Sequence, residues 1–326
     1  AFTKKIGYLF KAISGSVLFF LVGLALLYVL GPKGVGGIWL FATTTLAALL
    51  LGNIGGIVSF CLNALTQVAF YFLIRGEVIP WAGDGGVTSS AWGVTAINFI
   101  LLNFVLLIAN VIFFQGFKTL ISRSIETRNA SIIGLAKLAE YRDSETGSHL
   151  KRMQHYTILL ARELSHVAEY QTHVTDEYMK DLYVSSILHD IGKVGIPDSI
   201  LLKPGPLTGQ EYGIIKQHSN IGGGVIVELE AQVNGRSFYT LGKEIALYHH
   251  ERWDGSGYPE GLRGKSIPLS ARITALADVY DAMTSKRSYK NAVSHEEAVA
   301  VIAEGRGSQF DPDVVDAFMR IASRFG

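Results

Sequence analysis

The sequence predicts an all-α protein in which an N-terminal transmembrane helical bundle is followed by an all-helical domain. The 326 residues have a positive mean hydropathy and only 17% charged residues, a low fraction for a soluble protein. Charged residues are rare between positions 12 and 117, where they are Lys33, Arg75, Glu77 and Asp84. Beyond this region no alternation of apolar and polar residues is sustained, so helices are expected there too.

The membrane region, residues 1–117, contains about four apolar runs that are long enough to span a bilayer: 14–30, 35–51, 54–74 and 91–117. Only the segment GNIGG (52–56) separates the second run from the third, so one bent or re-entrant block is an alternative to two spans. Basic residues flank both ends of the region: Lys4, Lys5 and Lys11 before it, and Lys118, Arg123 and Arg128 after it. An even number of spans with such flanks places both ends in the cytoplasm. The lipid bilayer is therefore the first predicted partner.

Amide side chains recur on single faces of two of these runs, as Asn63 with Gln67 and Asn103 with Asn110. Residues four or seven positions apart share a helical face, and polar groups inside a bilayer hydrogen-bond to neighbouring helices. We expect these amides to bond across helices; a ligand pocket is the alternative.

Residues 118–137 are predicted to form a signalling or linker helix that leaves the membrane. Its apolar residues, among them Leu120, Ile125 and Ile132, recur at rough helical spacing. Such a helix can pair with a second copy and carry a movement into the next domain, or it can simply pack on its own domain. The chain begins with Ala1 rather than methionine, which is compatible with a processed or trimmed piece of a longer protein.

The third segment, residues 138–326, carries histidines and carboxylates in a pattern typical of a metal site. Adjacent His189 and Asp190 offer one nitrogen ligand and one carboxylate that can bridge two metals. Glu145 and His149 are four positions apart, so they share one face of a helix and can hold the same ion or neighbouring ions.

Further candidate ligands follow along the chain: His218, His249, His250 and Asp278. On a regular backbone His249 and His250 point in different directions, which two metals explain better than one. Asp278 lies in an apolar run, where an unpaired carboxylate is costly to bury and a metal would remove that cost.

The chain resembles the HD-GYP family of metal-dependent phosphodiesterases, a branch of the HD superfamily, over roughly residues 136–318. The resemblance rests on these segments, in order: YRDSETGSH (141–149), HDIGKVGIPDSILLKPGPLT (189–208), HHERWDGSGYPEGL (249–262), ARITALADVYDAMTSKRSYK (271–290) and GSQFDPDVVDAF (307–318). One departure is the segment HSNIGGG (218–224), where the family more often has a proline after the histidine.

The resemblance implies hydrolysis of cyclic di-GMP to linear pGpG, to GMP, or to both. The metal ligands that it implies are Glu145, His149, His189, Asp190, His218, His249, His250 and Asp278. They would hold two or three divalent ions, iron or manganese, with Asp190 as the bridging and catalytic carboxylate. Glu145 favours the three-metal type.

The resemblance also assigns residues that contact the substrate. Lys193, one turn after Asp190, would be catalytic and bind a phosphate oxygen, and Arg287 with Lys290 would lie beside the second phosphate or base. The alternative for Lys193 is that it is a surface lysine. The alternative for Arg287 and Lys290 is that they form the basic end of a helix. The name-giving tripeptide is Gly257, Tyr258 and Pro259. Glycines 255, 257 and 261 are expected to allow positive φ, and Pro259 to stiffen the turn.

These observations predict a multi-pass protein of the bacterial inner (cytoplasmic) membrane, with its catalytic domain in the cytoplasm and regulated by its membrane region. A homodimer and contact with GGDEF-type synthases of cyclic di-GMP are the expected protein partners. The net charge of +1 and the lack of a basic stripe argue against a nucleic-acid polymer. The alternatives are a cyclic dinucleotide receptor or interaction module with little turnover, and a hydrolase of a related dinucleotide such as the mixed GMP–AMP species.

Overall fold

The computed structural model describes residues 2–79, 81–82, 87–142, 148–233, 237–285 and 292–326. Regular structure in these ranges is helical, apart from one isolated bridge between Arg306 and Phe310. The predicted all-α fold class is therefore confirmed. The chain divides into two compact units, Ala1–Ile125 and Glu126–Gly326.

Within the described residues, three long helices are apolar enough to cross a membrane: α1 (Phe2–Leu30), α2 (Gly36–Arg75) and α3 (Ser89–Tyr141). α2 reverses at Gly52, whose φ of 73° and ψ of −167° are not helical. The Asn63 side chain donates to the Leu40 carbonyl at 2.6 Å, although these residues would lie about 34 Å apart in a straight helix. α2 is therefore a hairpin of two antiparallel arms. The number of membrane crossings stays a prediction.

A buried polar network joins the two arms of α2 to each other and to α3. Asn63 Nδ2 donates to Thr44 Oγ1 at 2.9 Å, and Thr44 Oγ1 donates to Asn103 Oδ1 at 2.9 Å. The prediction that these amides bond across helices is thereby confirmed for Asn63 and Asn103. Asn110 instead donates to the carbonyl of Leu106, one turn earlier in its own helix.

In the part of the second unit that the structure describes, eight further helices follow, with the bounds α4 Ser148–Leu164, α5 Asp176–Ser185, α6 Asp198–Leu201, α7 Gly209–Glu230, α8 Phe238–Tyr248, α9 Leu269–Thr284, α10 His295–Glu304 and α11 Pro312–Ile321. Two 3-10 turns, Ser186–Leu188 and Ile191–Gly195, lie between α5 and α6. The main core forms where α4, α5, α9, α10 and α11 bury their apolar faces, with Leu160, Leu182, Leu276 and Phe318 fully enclosed.

A smaller core cluster includes the end of α3. Ala136 is buried there with Leu150 and Ile226, and Ile132 and Ile133 pack against the same cluster. This part of α3 thus packs on its own domain, while Leu135 and Leu138 remain exposed. The predicted boundaries at residues 117 and 137 both fall inside α3.

Local sequence explains where the helices that carry the site begin. Thr208 and Glu211 form a reciprocal capping box at the start of α7, which satisfies free backbone donors of the first turn. Ser237 caps α8 by accepting from the Tyr239 amide. α7 carries the predicted ligand His218, and α8 directly precedes His249 and His250. Where these two helices begin therefore helps to decide which way the three histidines face.

Candidate metal centre

The predicted ligands that the structure describes meet in the second unit. They come from different elements: His149 from the start of α4, His189 and Asp190 from between the two 3-10 turns, His218 from α7, His249 and His250 from the turn after α8, and Asp278 from α9. Helix packing thus brings together side chains that are distant in the sequence.

The ligands form two adjoining groups, each with donor atoms within 4.8 Å of one another. The first group is Asp190, His218, His249 and His250, and the second group is His149, His189 and Asp278. Asp190 also faces the second group: its Oδ1 lies 3.3 Å from His218 Nε2, and its Oδ2 lies 3.2 Å from His189 Nε2. A carboxylate in this position can bridge two cations.

Backbone carbonyls orient three of the imidazoles. The Nδ1 atoms of His189, His218 and His249 lie 2.9, 2.7 and 2.9 Å from the carbonyls of Ser186, Ile215 and Ile245. Because a carbonyl only accepts, Nδ1 of each ring carries a proton, and Nε2 is the nitrogen through which the ring can bind a metal. The three Nε2 atoms face the carboxylate of Asp190, as metal-ligating histidines require.

His149 is held by a carboxylate instead. Its Nδ1 donates to Asp281 Oδ2 at 2.7 Å, and Arg152 donates to the same carboxylate through Nε at 2.5 Å and Nη2 at 2.9 Å. Burial opposes ionisation of Asp281, but the hydrogen bonds from His149 and Arg152 lower its pKa to about 2. The ionised carboxylate fixes the His149 proton on Nδ1 and leaves Nε2 toward the second group.

The buried ionisable side chains of the centre differ in the direction in which their pKa values are shifted. Burial lowers the pKa of His249 to about 3 and that of His250 well below its usual range, so both imidazoles are neutral. Burial also opposes protonation of His189, but the adjacent Asp190 carboxylate raises its pKa to about 10. Although burial raises the pKa of Asp190, Lys193 and His189 hold it well below the usual range. Asp190 is therefore ionised, which is the state in which a carboxylate would bind a metal.

The donor atoms fit a divalent metal. Asp190 Oδ1 and His249 Nε2 are buried, lie 3.8 Å apart, and have no hydrogen-bond partner among the described residues. Leaving such atoms unsatisfied costs about 1–3 kcal/mol each, and a shared cation would remove the cost. Imidazole and carboxylate donors without a thiolate suit iron or manganese.

Lys193 lies beside the carboxylate that faces both groups, with its Nζ 2.8 Å from Asp190 Oδ2. Lys193 thus reaches the same site as His189 and Asp190, and its role toward a phosphate stays a prediction. The predicted ligand Glu145 and the predicted substrate contacts Arg287 and Lys290 lie outside the described residues.

The expectation that His249 and His250 point in different directions is wrong. Their ring centroids are 4.0 Å apart, and both residues belong to the first group. α8 ends at Tyr248, and the two histidines form a turn rather than a regular element. The doublet therefore does not by itself indicate two metals.

Close backbone approach sets the distance between Asp190 and His218. A Cβ on Gly192 would lie 1.9 Å from the His218 carbonyl oxygen and 2.5 Å from the Gly222 nitrogen. α7 can therefore approach the turn after Asp190 only because residue 192 has no side chain.

The loop that contains Gly257, Tyr258 and Pro259 is organised by Glu251. The Glu251 side chain is 4% exposed, and its Oε1 accepts from the backbone amides of Glu260 at 2.8 Å and Gly261 at 3.0 Å. Glu251 thus ties the far end of the loop to the residue that follows His250. The peptide bond between Tyr258 and Pro259 is cis.

The glycines of this loop serve two purposes. Gly255 (φ 84°) and Gly261 (φ 69°) have the positive φ that the sequence predicted. Gly257 does not: there the prediction is wrong, and the reason for glycine is space, because a Cβ would lie 2.4 Å from the Arg252 nitrogen.

A cavity of about 290 Å³ opens beside the metal ligands and is lined by His249, His250 and Asp278. Lys216 lies on its other side, with Nζ 4.7 Å from the ring centroid of Tyr212 and 5.0 Å from that of Tyr258. The cavity therefore combines the ligand histidines with a cation and two aromatic faces, which suits an anionic, planar group.

Several residues that shape the centre were not found by sequence reasoning. Asp281 lies three positions after Asp278, on the same side of α9, and that spacing was the available signal. Glu251 follows the histidine doublet directly. Lys216 precedes His218 by two positions, which on a helix does not predict a shared site.

The structure is therefore an all-helical domain with a His/Asp centre that could hold metal ions. The HD domain family model matches residues 132–314, more than half of the chain, so the chain belongs to the HD domain family. A second family model, MASE11, matches residues 1–117. With the three long apolar helices, that match supports association with a membrane.

Curated relatives match the same C-terminal part. A cyclic di-GMP phosphodiesterase of Vibrio cholerae is 51% identical over 199 residues, 61% of this chain and 40% of the relative. One from Thermotoga maritima is 43% identical, over 57% of this chain and 47% of the relative. A 3′3′-cGAMP-specific phosphodiesterase 2 of Vibrio cholerae is 42% identical, over 60% and 35%. The chain thus spans less than half the length of these relatives, and the resemblance seen in the sequence is confirmed.

Proposed function

We propose that the chain is a membrane-anchored, metal-dependent phosphodiesterase that hydrolyses cyclic di-GMP to linear pGpG, to GMP, or to both. The observation that carries this proposal is the pair of adjoining ligand groups, with the Asp190 carboxylate facing both. The names of the relatives from Vibrio cholerae and Thermotoga maritima support the substrate.

The centre would be held by the eight predicted ligands, with Glu145 proposed from the sequence alone. Metals bound there supply the activation of water and the neutralisation of phosphoryl charge that phosphodiester hydrolysis needs. The chain's own residues provide the geometry: carbonyl-oriented imidazoles keep their Nε2 atoms toward Asp190, and Asp281 orients His149. Two or three iron or manganese ions are consistent with these donors.

Lys193 is proposed as the catalytic cation. Its ammonium lies 2.8 Å from Asp190, so it is close enough to the centre to contact a phosphate oxygen and to offset the charge of the attacked phosphodiester. Arg287 and Lys290 are proposed to hold the second phosphate or base, on the strength of the sequence resemblance.

The membrane region is proposed to be a multi-pass anchor in the bacterial inner membrane, with the catalytic domain in the cytoplasm. The basic residues that flank residues 12–117 support this orientation. Regulation by this region, a homodimer through α3, and contact with a GGDEF-type synthase are further proposals. The exposed Leu135 and Leu138 on α3 are the residues that favour dimer contact.

A related cyclic dinucleotide is the second candidate substrate. The 42% identity to a 3′3′-cGAMP-specific phosphodiesterase supports it, because this value is close to the 43% identity to the Thermotoga maritima relative. Both substrates share the phosphodiester that the metal centre would attack, so the bases decide between them.

The test is direct hydrolysis by the full chain in detergent or nanodiscs, loaded anaerobically with iron or manganese. Cyclic di-GMP and 3′3′-cGAMP are supplied separately, and the products are resolved by chromatography. We expect metal-dependent formation of linear dinucleotide or GMP from cyclic di-GMP, and none from the Asp190→Asn variant. Tight binding without product in a folded, metal-loaded chain would instead favour a receptor, and faster hydrolysis of 3′3′-cGAMP would favour the second substrate.

A further inference from the structure

Glu140 is a buried carboxylate that faces the second ligand group. It lies at the end of α3, next to Tyr141, and is 5% exposed. Its Oε1 is 3.5 Å from His149 Nε2. Glu140 is not among the ligands predicted from the sequence, and the ligand set implied by the family resemblance does not contain it.

The nitrogen that Glu140 faces is the one available to a metal. His149 Nδ1 is committed to Asp281, so the lone pair of His149 lies on Nε2. His189 Nε2 is also 3.5 Å from His149 Nε2. Neighbouring ligand atoms on one ion are about 3 to 3.5 Å apart for common coordination geometries. Glu140 Oε1 and His189 Nε2 thus each lie 3.5 Å from the His149 nitrogen that is available to a metal.

The charge of the second ligand group also favours Glu140 as a ligand. The second group as described has one carboxylate, Asp278, for a divalent ion. The Glu140 carboxylate would add a negatively charged oxygen donor to this group, which the Asp190 carboxylate also faces.

The alternative is that His149 carries two protons and lies as an imidazolium between Asp281 and Glu140. In that arrangement Nε2 donates to Glu140, and His149 is not a ligand. The two readings differ in whether the removal of the Glu140 charge changes the binding of metal.

We propose that Glu140 is a metal ligand of the second group, so that the last turn of α3 is part of the metal centre. The proposal rests on the metal centre of the proposed function. It also gives that centre a specific dependence on α3, the helix that the sequence predicts to leave the membrane: a shift of residues 136–142 would move a ligand.

The experiment compares the full chain with its Glu140→Gln variant after both are loaded with manganese and desalted. Bound metal per chain is measured by mass spectrometry, the rate of metal loss to a chelator is followed, and Tm is measured with and without metal. We expect Glu140→Gln to lose one ion per chain, or to release it at least about tenfold faster. The rise in Tm on metal loading should shrink in parallel.

Glu230→Gln is the matched control, because Glu230 pairs with Lys243 away from the centre, and it should retain metal like the unchanged chain. Glu140→Asp keeps the charge on a shorter side chain, and we expect it to retain all its metal but release it faster. A folded Glu140→Gln with unchanged metal content and release rate would overturn the proposal. If that variant fails to fold, unchanged release from Glu140→Asp would overturn it.

None of these readouts depends on the turnover of cyclic di-GMP. A chain that binds metal in the expected way but hydrolyses no cyclic dinucleotide would contradict the proposed function and leave the role of Glu140 supported. An unchanged chain that retains no metal would overturn both.

Discussion

Asp281 and His149 are joined by a 2.7 Å hydrogen bond between α9 and α4. The bond connects the metal centre to the main core, because Tyr280 and Ala277 on α9 are buried in that core. Arg152 binds the other side of the Asp281 carboxylate. The orientation of one metal ligand is therefore fixed by the packing of two core helices.

Replacement of Asp281 by asparagine should weaken metal binding without removing a ligand. The neutral amide no longer stabilises the orientation and basicity of His149, and such changes lower metal affinity about 10- to 100-fold. Competition with a chromogenic chelator measures the affinity. Asp316→Asn, which breaks only the surface pair with Arg306, should have no effect. An Asp281→Asn variant with unchanged affinity would show that His149 is not held for a metal.

The same carboxylate predicts a pH dependence of stability in the metal-free chain. Its pKa falls from 3.8 to about 2 on folding. A lowered pKa stabilises the fold fully above the unfolded value, and the contribution is lost as the pH falls toward 2. The shift corresponds to about 2 kcal/mol. Chemical unfolding of the metal-free chain from pH 7 to pH 2.5 should therefore show Asp281→Asn destabilised most at neutral pH. A difference that grows on acidification would contradict this sign.

Gly192→Ala should separate the turn after Asp190 from α7. The added Cβ would lie 1.9 Å from the His218 carbonyl oxygen, so backbone must move, at about 3 kcal/mol or more. We expect a lower Tm and the loss of bound metal. Gly224 lies on α7, and a Cβ added there meets nothing within 4 Å. Gly224→Ala should therefore leave the stability unchanged or slightly higher. If the two variants have the same Tm and metal content, the close approach of α7 is not the reason for glycine at position 192.

Arg142 should control the position of Lys193. Its guanidinium donates to the carbonyls of Lys193 at 3.3 Å and Ile196 at 3.0 Å, to the Val194 carbonyl, and to Asp198 at 2.6 Å. Arg142→Ala frees this segment, and we expect faster amide exchange at residues 193–198 and about a tenfold lower kcat. Hydrogen exchange and steady-state kinetics measure the two effects. Arg306→Ala, which breaks only the surface ion pair with Asp316, is the control. Unchanged amide exchange in Arg142→Ala would show that Arg142 does not hold the segment that carries Lys193.

Lys216 should contribute to the binding of the substrate but not of metal. Its ammonium lies between Tyr212 and Tyr258 at the cavity beside the ligands. Lys216→Met removes the charge, and we expect KM for cyclic di-GMP to rise about tenfold, the equivalent of 1.4 kcal/mol, at unchanged metal content. Lys265→Met, at an exposed pair with Glu169, should not change KM. A loss of metal in Lys216→Met would instead indicate a structural role.

The fold class and the ligand histidines could be predicted from the sequence because they depend on local pattern. Long apolar runs require helices in a bilayer, and the histidines and carboxylates stand in segments whose order matches a family. Asn63 and Asn103 were predicted to bond across helices because an amide in an apolar helix has few other partners. The hairpin of α2 depends on the positive φ of Gly52, and the sequence left it as one of two alternatives.

The features of the site that could not be predicted from the sequence depend on which helices pack against one another. Helical periodicity shows that Asp278 and Asp281 share a side of α9, but not that His149 packs against it. Glu140 belongs to another helix, and its approach to His149 follows from the packing of α3 on its own domain. The expectation for His249 and His250 failed because it assumed regular backbone at a helix end.

The measurement that tests the central claim most directly is activity as a function of metal occupancy. The full chain is stripped with a chelator, titrated anaerobically with manganese or iron, and assayed for cyclic di-GMP hydrolysis at each measured number of bound ions. Because the Asp190 carboxylate faces both ligand groups, we predict little hydrolysis until both groups are filled and a steep rise after that. Full activity in the metal-free chain, or with a single bound ion, would contradict the account.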